Sequence, residues 1–229
     1  ADSPEREIVE KVALKAGLKP FTFGWKGDHL WIDEITPRAT GQELRLQWET
    51  PEGDKETIVQ LPLIGEFQAL NALAAAGLAL SLGADAEAVF AAMATLKGVK
   101  GRLELVGDTD EGAGVFVDYA HTPDGLATLL RAVRPHAAGR VICVFGCGGD
   151  RDPFKRPMMG EIAQKFADEI IVTDDNPRSE DPASIRKAII EACAGAEEIG
   201  DREAAIRAGV ARLKKGDALV IAGKGHETG

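Results

Sequence analysis

The sequence predicts an α/β protein: a C-terminal Rossmann-like, doubly wound, mostly parallel sheet, preceded by a smaller α+β part with an antiparallel sheet. Three observations carry this. After residue 101, short apolar runs alternate with helix-length segments, as strands covered on both faces of a parallel sheet do. Within residues 21–63 apolar and polar residues alternate singly, the period of half-buried strands. Between these textures lies "KGVKG", Lys97–Gly101.

Taken in order, residues 5–17 read as a helix, with Ile8, Val9, Val12, Leu14 and Ala16 apolar and Gly17 as the stop. "FTFGWKGDHLWIDEI", "ELRLQWET" and "KETIVQLPL" follow, punctuated by Gly27-Asp28, Thr40-Gly41 and Pro51-Glu52-Gly53-Asp54. They predict a small antiparallel sheet with turns. Ala/Leu-rich helices are expected over Glu66–Leu82, ended by Gly83, and over Asp85–Leu96. In the second half the strands are Gly114–Asp118, Arg140–Phe145, Glu169–Thr173 and Ala218–Ala222. Helices over Pro123–Val133, Lys155–Phe166, Pro182–Ala192 and Asp201–Leu213 connect them. Domains are expected at 1–100 and 101–229.

Composition narrows the function classes. The 229 residues carry a net charge of −10, divided evenly between the halves, so no basic tail or patch points to nucleic acid. No apolar run approaches the roughly 20 residues of a membrane span, and no basic segment leads into an apolar one as in a signal peptide. The cysteines, Cys143, Cys147 and Cys193, are few. They fit a reducing, cytosolic compartment rather than a disulfide framework. Cys143-x-x-x-Cys147 lacks the second pair of a zinc site. His29 and His136 read as surface or turn residues.

Ligands of a doubly wound sheet bind where strand C-termini meet loops. Four such ends carry unusual residues: "VDYAHTPDG" (Asp118, Tyr119, His121), "FGCGGDRDPFKRPMMG" (Gly146 to Arg156), "TDDNPR" (residues 173–178) and "AGKGHETG" (Lys224, His226, Glu227). The chain has one Tyr and four His, yet Tyr119, His121 and His226 all fall there. The rim sets cations (Arg151, Lys155, Arg156, Arg178, Lys224) beside acids (Asp118, Asp150, Asp175, Glu227). A purely anionic ligand has no use for the acids; a zwitterion with ammonium and carboxylate groups uses both. Arg pairs with a carboxylate bidentately. Asp-Asn-Pro is in itself an ordinary turn signature. On a ligand-facing rim the same stiffness holds Asn176 and Arg178 ready at low entropic cost.

Together "GRLE", "VDYAHTPDG", "FGCGGDRDPFKRPMMG", "TDDNPR" and "AGKGHE" resemble the Mur ligase family. The likeness covers the whole chain; the motifs of residues 101–229 are long and specific, and residues 1–100 match more loosely as the end of the central ATP-binding domain. The resemblance implies an ATP-driven amide-bond ligase of peptidoglycan precursor synthesis, working through an acyl phosphate with Mg2+ at the phosphates. The "DNPR" form is similar to the version that adds meso-2,6-diaminopimelate to UDP-MurNAc-L-Ala-D-Glu. It implies ATP contacts by Arg102, Asp118 and Asn71. It implies diaminopimelate contacts by Arg156, Asp175, Asn176, Pro177, Arg178, Gly223 and Glu227.

The implied protein is a cytoplasmic monomer, part of cell-wall biogenesis, acting on UDP-MurNAc-dipeptide, meso-diaminopimelate and ATP, with no nucleic-acid partner and no membrane insertion. Two departures stand out. No Gly-x-x-Gly-Lys-Thr/Ser phosphate loop occurs, and Gln68 stands where the family pattern usually has Asn. The expectation is therefore the C-terminal, amino-acid-binding half of a ligase, inactive alone, with Mg2+ bound mainly by the central-domain part. A non-catalytic α/β module that binds a zwitterion or a nucleotide is the alternative. A dehydrogenase with a degenerate glycine loop explains less, since it leaves the "DNPR" turn without a role.

Overall fold

A computed structural model describes residues 2–110 and 112–224. The chain divides into two compact units, one ending at Lys97 and the other beginning at Gly98. Residues Thr95 to Lys100 are all exposed. Limited trypsin digestion is therefore expected to cut first at Lys97 or Lys100; a first cut inside residues 140–222 would move the boundary.

The first unit contains α1 (Arg6–Lys15), β1 (Phe23–Gly24), β2 (Leu30–Arg38), β3 (Gly41–Trp48), β4 (Lys55–Leu61), α2 (Glu66–Ser81) and α3 (Ala86–Met93). Strands β2, β3 and β4 form an antiparallel meander, and the two-residue β1 joins β2 in parallel. Alternation decides which face is buried: Leu44 and Leu46 of β3 and Val59 and Leu61 of β4 lie in the core. They pack with Ala69, Ala72, Leu73 and Ala76 of α2, a helical i, i+3, i+4, i+7 stripe. The apolar residues of α1 do not share in this. Ile8, Val9, Val12 and Leu14 are 62–66% exposed. Polar contacts hold α1 and the residues before it: Arg6 pairs with Glu10 and Asp28, and Asp2 accepts from the Trp25 and Lys26 amides.

The second unit contains β5 (Glu104–Asp108), β6 (Gly114–Asp118), α4 (Pro123–Val133), a 3-10 turn (Arg134–His136), β7 (Val141–Phe145), α5 (Lys155–Phe166), β8 (Glu169–Val172), α6 (Pro182–Ile190), β9 (Glu197–Glu198), α7 (Arg202–Ala211) and β10 (Ala218–Ala222). The sheet order is β5-β6-β10-β7-β8-β9. Every pairing is parallel except that of the edge strand β5 with β6. Every residue of β7 and β10 is buried, so both sheet faces are covered. Helix α7 packs on β7, β8 and β10, against Ile142, Val144 and Leu219. Helices α4, α5 and α6 pack side by side. Local capping sets three helix starts: Thr122 accepts from Gly125 N–H, Asp181 from Ala183 and Ser184, and Asp201 from Ala204.

Two expectations change. His136 is buried, within the 3-10 turn that ends α4. Strands β5 and β9 were not expected: β9 has only two residues, and both strands are largely exposed and carry no continuous or alternating apolar pattern.

At the end of the sheet opposite the rim, Asp217 precedes β10 and Arg140 precedes β7. The buried Asp217 carboxylate accepts from Arg140 N–H (2.7 Å), Nε (3.2 Å) and Nη2 (2.6 Å), and from Lys214 N–H (2.9 Å). Arg140 also pairs with Glu169 and donates to the Arg212 carbonyl. Burial pushes the Asp217 carboxyl upward, but the Arg140 side chain and the two amides outweigh it, holding it below the usual range.

Candidate functional site

In the second sheet the register aligns the strand ends: Ala222 lies opposite Asp118, Ile221 opposite Val144, and Phe145 opposite Val172. The loops leaving β6, β7, β8 and β10 therefore share one rim. A cleft of about 500 Å³ opens there. Asp175, Asn176, Arg178 and Gly223 line it, all four among the diaminopimelate candidates, and so do the rim residues Tyr119, His121, Arg151 and Lys155. Thr122, Pro123, Gly148 and Asp152 complete the lining; sequence reasoning placed their motifs on the rim but gave them no ligand contact.

The β7 and β8 loops are packed without room to spare. A Cβ on Gly146 would overlap the Thr173 carbonyl oxygen, and one on Gly149 the Pro177 carbonyl oxygen; one on Gly148 would come within 2.7 Å of Arg178 Nη1. Gly149 N–H donates to the Asn176 carbonyl at 3.1 Å. Arg178 returns a bond from Nη1 to the Gly149 carbonyl at 2.8 Å. One guanidinium nitrogen is thereby anchored, while the rest of the fork makes no bond to a described residue. Asp150, Asn176 and Arg178 all have positive φ (51°, 24° and 52°). Such backbone strain persists where surrounding contacts over-determine it, and it clusters at functional sites.

The acids divide by role. Asp175 lines the cleft, and no described residue donates to its carboxylate. Asp150 does not face a ligand as the rim pattern suggests: it accepts from Ser179 Oγ at 2.7 Å and Ser179 N–H at 3.1 Å, bonds that hold its carboxyl below the usual range. Asp118 caps backbone, accepting from the Leu103 and Ala120 amides at 2.7 Å each. Glu180, to which sequence reasoning gave no role, accepts from Arg156 Nη2 at 2.8 Å and Asp150 N–H at 2.6 Å. The Arg156 bond, then the Asp150 amide, keeps its carboxyl below the usual range. The available signal was its place two residues after Arg178.

The other predicted residues lie as follows. Arg156 is behind the cleft wall, its side chain 7% exposed. Pro177 presents its carbonyl to the Glu180 amide. Arg102 stands 5.4 Å over the Tyr119 ring, which meets His121 edge-on at 4.7 Å. The His121 ring bonds the Tyr119 carbonyl through Nδ1, and the His121 carbonyl accepts from Lys155 Nζ at 2.9 Å. Asn71 is exposed on α2 of the first unit. His226 and Glu227 lie outside the described residues. Cys147 sits under the cleft, its thiol pushed up to about 11 chiefly by burial, with Lys155 and Arg156 pulling it down. It is therefore protonated at neutral pH and no nucleophile. The cleft thus presents an anchored arginine fork, two further cations and two carboxylates, the complement of a small zwitterion.

Residues 101–225 match the Mur ligase glutamate ligase domain, and residues 1–79 the Mur ligase middle domain. Among curated proteins, the UDP-N-acetylmuramoyl-L-alanyl-D-glutamate--2,6-diaminopimelate ligase of Chelativorans sp. is 56% identical over the whole chain, and that of Caulobacter vibrioides 54%. The chain spans 47% and 46% of their lengths. A solved structure of a ligase of the same name superposes with a TM-score of 0.80 at 34% identity, covering 99% of this chain and 47% of that one.

Proposed function

The chain belongs to the Mur ligase family, and on that premise we propose that it is the amino-acid-binding half of an ATP-dependent ligase that joins meso-2,6-diaminopimelate to UDP-MurNAc-L-Ala-D-Glu. The observation that carries the reading is the cleft at the strand ends, where Arg178, anchored to the Gly149 carbonyl, stands with Asp175, Asn176 and Gly223. Diaminopimelate has an amino acid group at each end. Arg178 would pair with one terminal carboxylate and Asn176 would donate to it, while Asp175 would accept from an ammonium. Arg156 supports this wall from behind, and Glu227, by the family likeness, would add a further acid.

Cys147, the thiol beside the cleft, is protonated and no nucleophile, which agrees with a ligase whose attacking group is the substrate's own amine. The residues here bind and orient that amine. Arg102 and Asp118 would meet ATP phosphate and ribose, and Asn71 the adenine. Asp118 keeps lone pairs for a hydroxyl beyond its two backbone bonds. Bound Mg2+ would offset phosphate charge. Among the described residues no three His, Cys, Asp or Glu side chains cluster as metal ligands; by the family likeness its ligands would come mainly from the central-domain part. Among the described residues no helix is long and apolar enough to cross a membrane. As a step of precursor synthesis, the reaction would take place in the cytoplasm, on small soluble molecules.

Calorimetric titration of the 229-residue chain tests the reading. Meso-diaminopimelate is expected to bind about 100-fold or more tighter than L-lysine, which lacks one carboxylate and leaves the site's polar groups unpaired. Equal affinities would overturn it.

A further inference from the structure

We propose that Glu180 is the positioning residue of this cleft, holding the arginines in place without touching the ligand. The proposal rests on the reading of the cleft as a diaminopimelate site.

Two carboxylates join the β7 and β8 loops reciprocally. Glu180 Oε1 accepts from the Asp150 amide, and the Asp150 carboxylate accepts from the amide and hydroxyl of Ser179. Each acid thus caps the backbone or side chain of the opposite loop. The same Glu180 oxygen takes Arg156 Nη2. Arg156 has no other carboxylate partner among the described residues, and its buried Nε has no acceptor. A buried guanidinium with one anionic partner takes its orientation from that partner.

The strain lies between these bonds. Asp150 and Arg178 both hold positive φ; the clasp ties down Asp150 itself, through its amide and carboxylate, and Ser179 next to Arg178. Arg178 reaches Gly149, immediately before Asp150, and Gly149 reaches Asn176. Releasing Glu180 frees the Asp150 amide and leaves Arg156 unpaired, so both loops can relax toward ordinary backbone angles. The Arg178 fork would then no longer be presented to the cleft. With Glu180 ionised at neutral pH, Arg156 is already neutralised, so ligand discrimination falls to Arg178.

The test compares wild type with Glu180→Gln, Glu180→Asp and, as a control, Asp217→Asn at the far end of the same sheet. Amide hydrogen exchange and calorimetric titration with meso-diaminopimelate are read on the 229-residue chain. Glu180→Gln is expected to speed exchange at the Asp150 and Ser179 amides by about tenfold or more and to weaken binding by about tenfold, the effect of losing a charge-assisted bond. Glu180→Asp should recover part of the affinity. Asp217→Asn should lower the unfolding temperature yet keep wild-type affinity where it is folded. Wild-type exchange at Asp150 and Ser179 in Glu180→Gln would overturn the proposal. So would wild-type affinity in that variant, or an equal loss of affinity in Asp217→Asn. If wild type itself does not bind meso-diaminopimelate, the ligand reading falls, and the exchange measurement alone decides the clasp.

Discussion

Replacing Arg178 by alanine is expected to weaken binding of meso-diaminopimelate by roughly 10- to 100-fold while changing L-lysine binding by less than about threefold. A hydrogen bond to a charged group is worth about 1.5–3 kcal/mol, and each 1.4 kcal/mol is about tenfold in affinity. The two ligands differ by one carboxylate, so only the ligand that has it can lose the pair. Arg178 is exposed and holds φ 52°, a conformation that alanine tolerates no better, so the unfolding temperature should move little. Arg178→Lys keeps the charge but not the planar fork and should fall between the two. The ratio of the two dissociation constants is the quantity to measure. An equal loss for both ligands would show that Arg178 does not read the carboxylate, and the "DNPR" turn would be a structural corner.

Asp217→Asn is expected to have the largest effect on stability. The substitution removes the anion from a carboxylate whose side chain is 3% exposed and turns one of its four acceptor contacts into an amide donor. Breaking a fully buried pair costs about 3–5 kcal/mol. Arg140 is 31% exposed and keeps Glu169, so roughly 2–4 kcal/mol is expected here. For a domain of this size that lowers the unfolding temperature by about 5–15 °C. The pH dependence follows from the depressed carboxyl. Its stabilisation is complete above the unfolded-state value of about 3.9 and disappears as pH falls through the lower folded value. The gap between wild type and variant should be constant from pH 5 to 8 and shrink below pH 4. A gap as wide at pH 3 as at pH 7 would contradict the ionised pair.

What the sequence determines by itself is local. Apolar runs of four to six residues between helix-length segments specify the parallel strands. Caps such as Thr122-Pro123 and Asp181-Pro182 mark helix starts within a residue, because a cap bonds only two or three residues away. The rim is legible for the same reason: in a doubly wound sheet every strand ends at one edge, so the motifs after β6, β7, β8 and β10 must meet. The tertiary structure decides whatever depends on distant partners. Nothing in "ALVIA" says that β10 inserts between β6 and β7, since strand order follows from long-range pairing. The apolar side of α1 predicts burial, yet its neighbours leave it exposed. Charge roles show the limit most clearly. The rim holds acids and bases in one list of letters, but Asp150, Asp118 and Glu180 are taken up by backbone amides and Arg156, whereas Asp175 remains in the cleft. A carboxylate bonds whichever donor lies within about 3 Å, and only the packed loops set that distance.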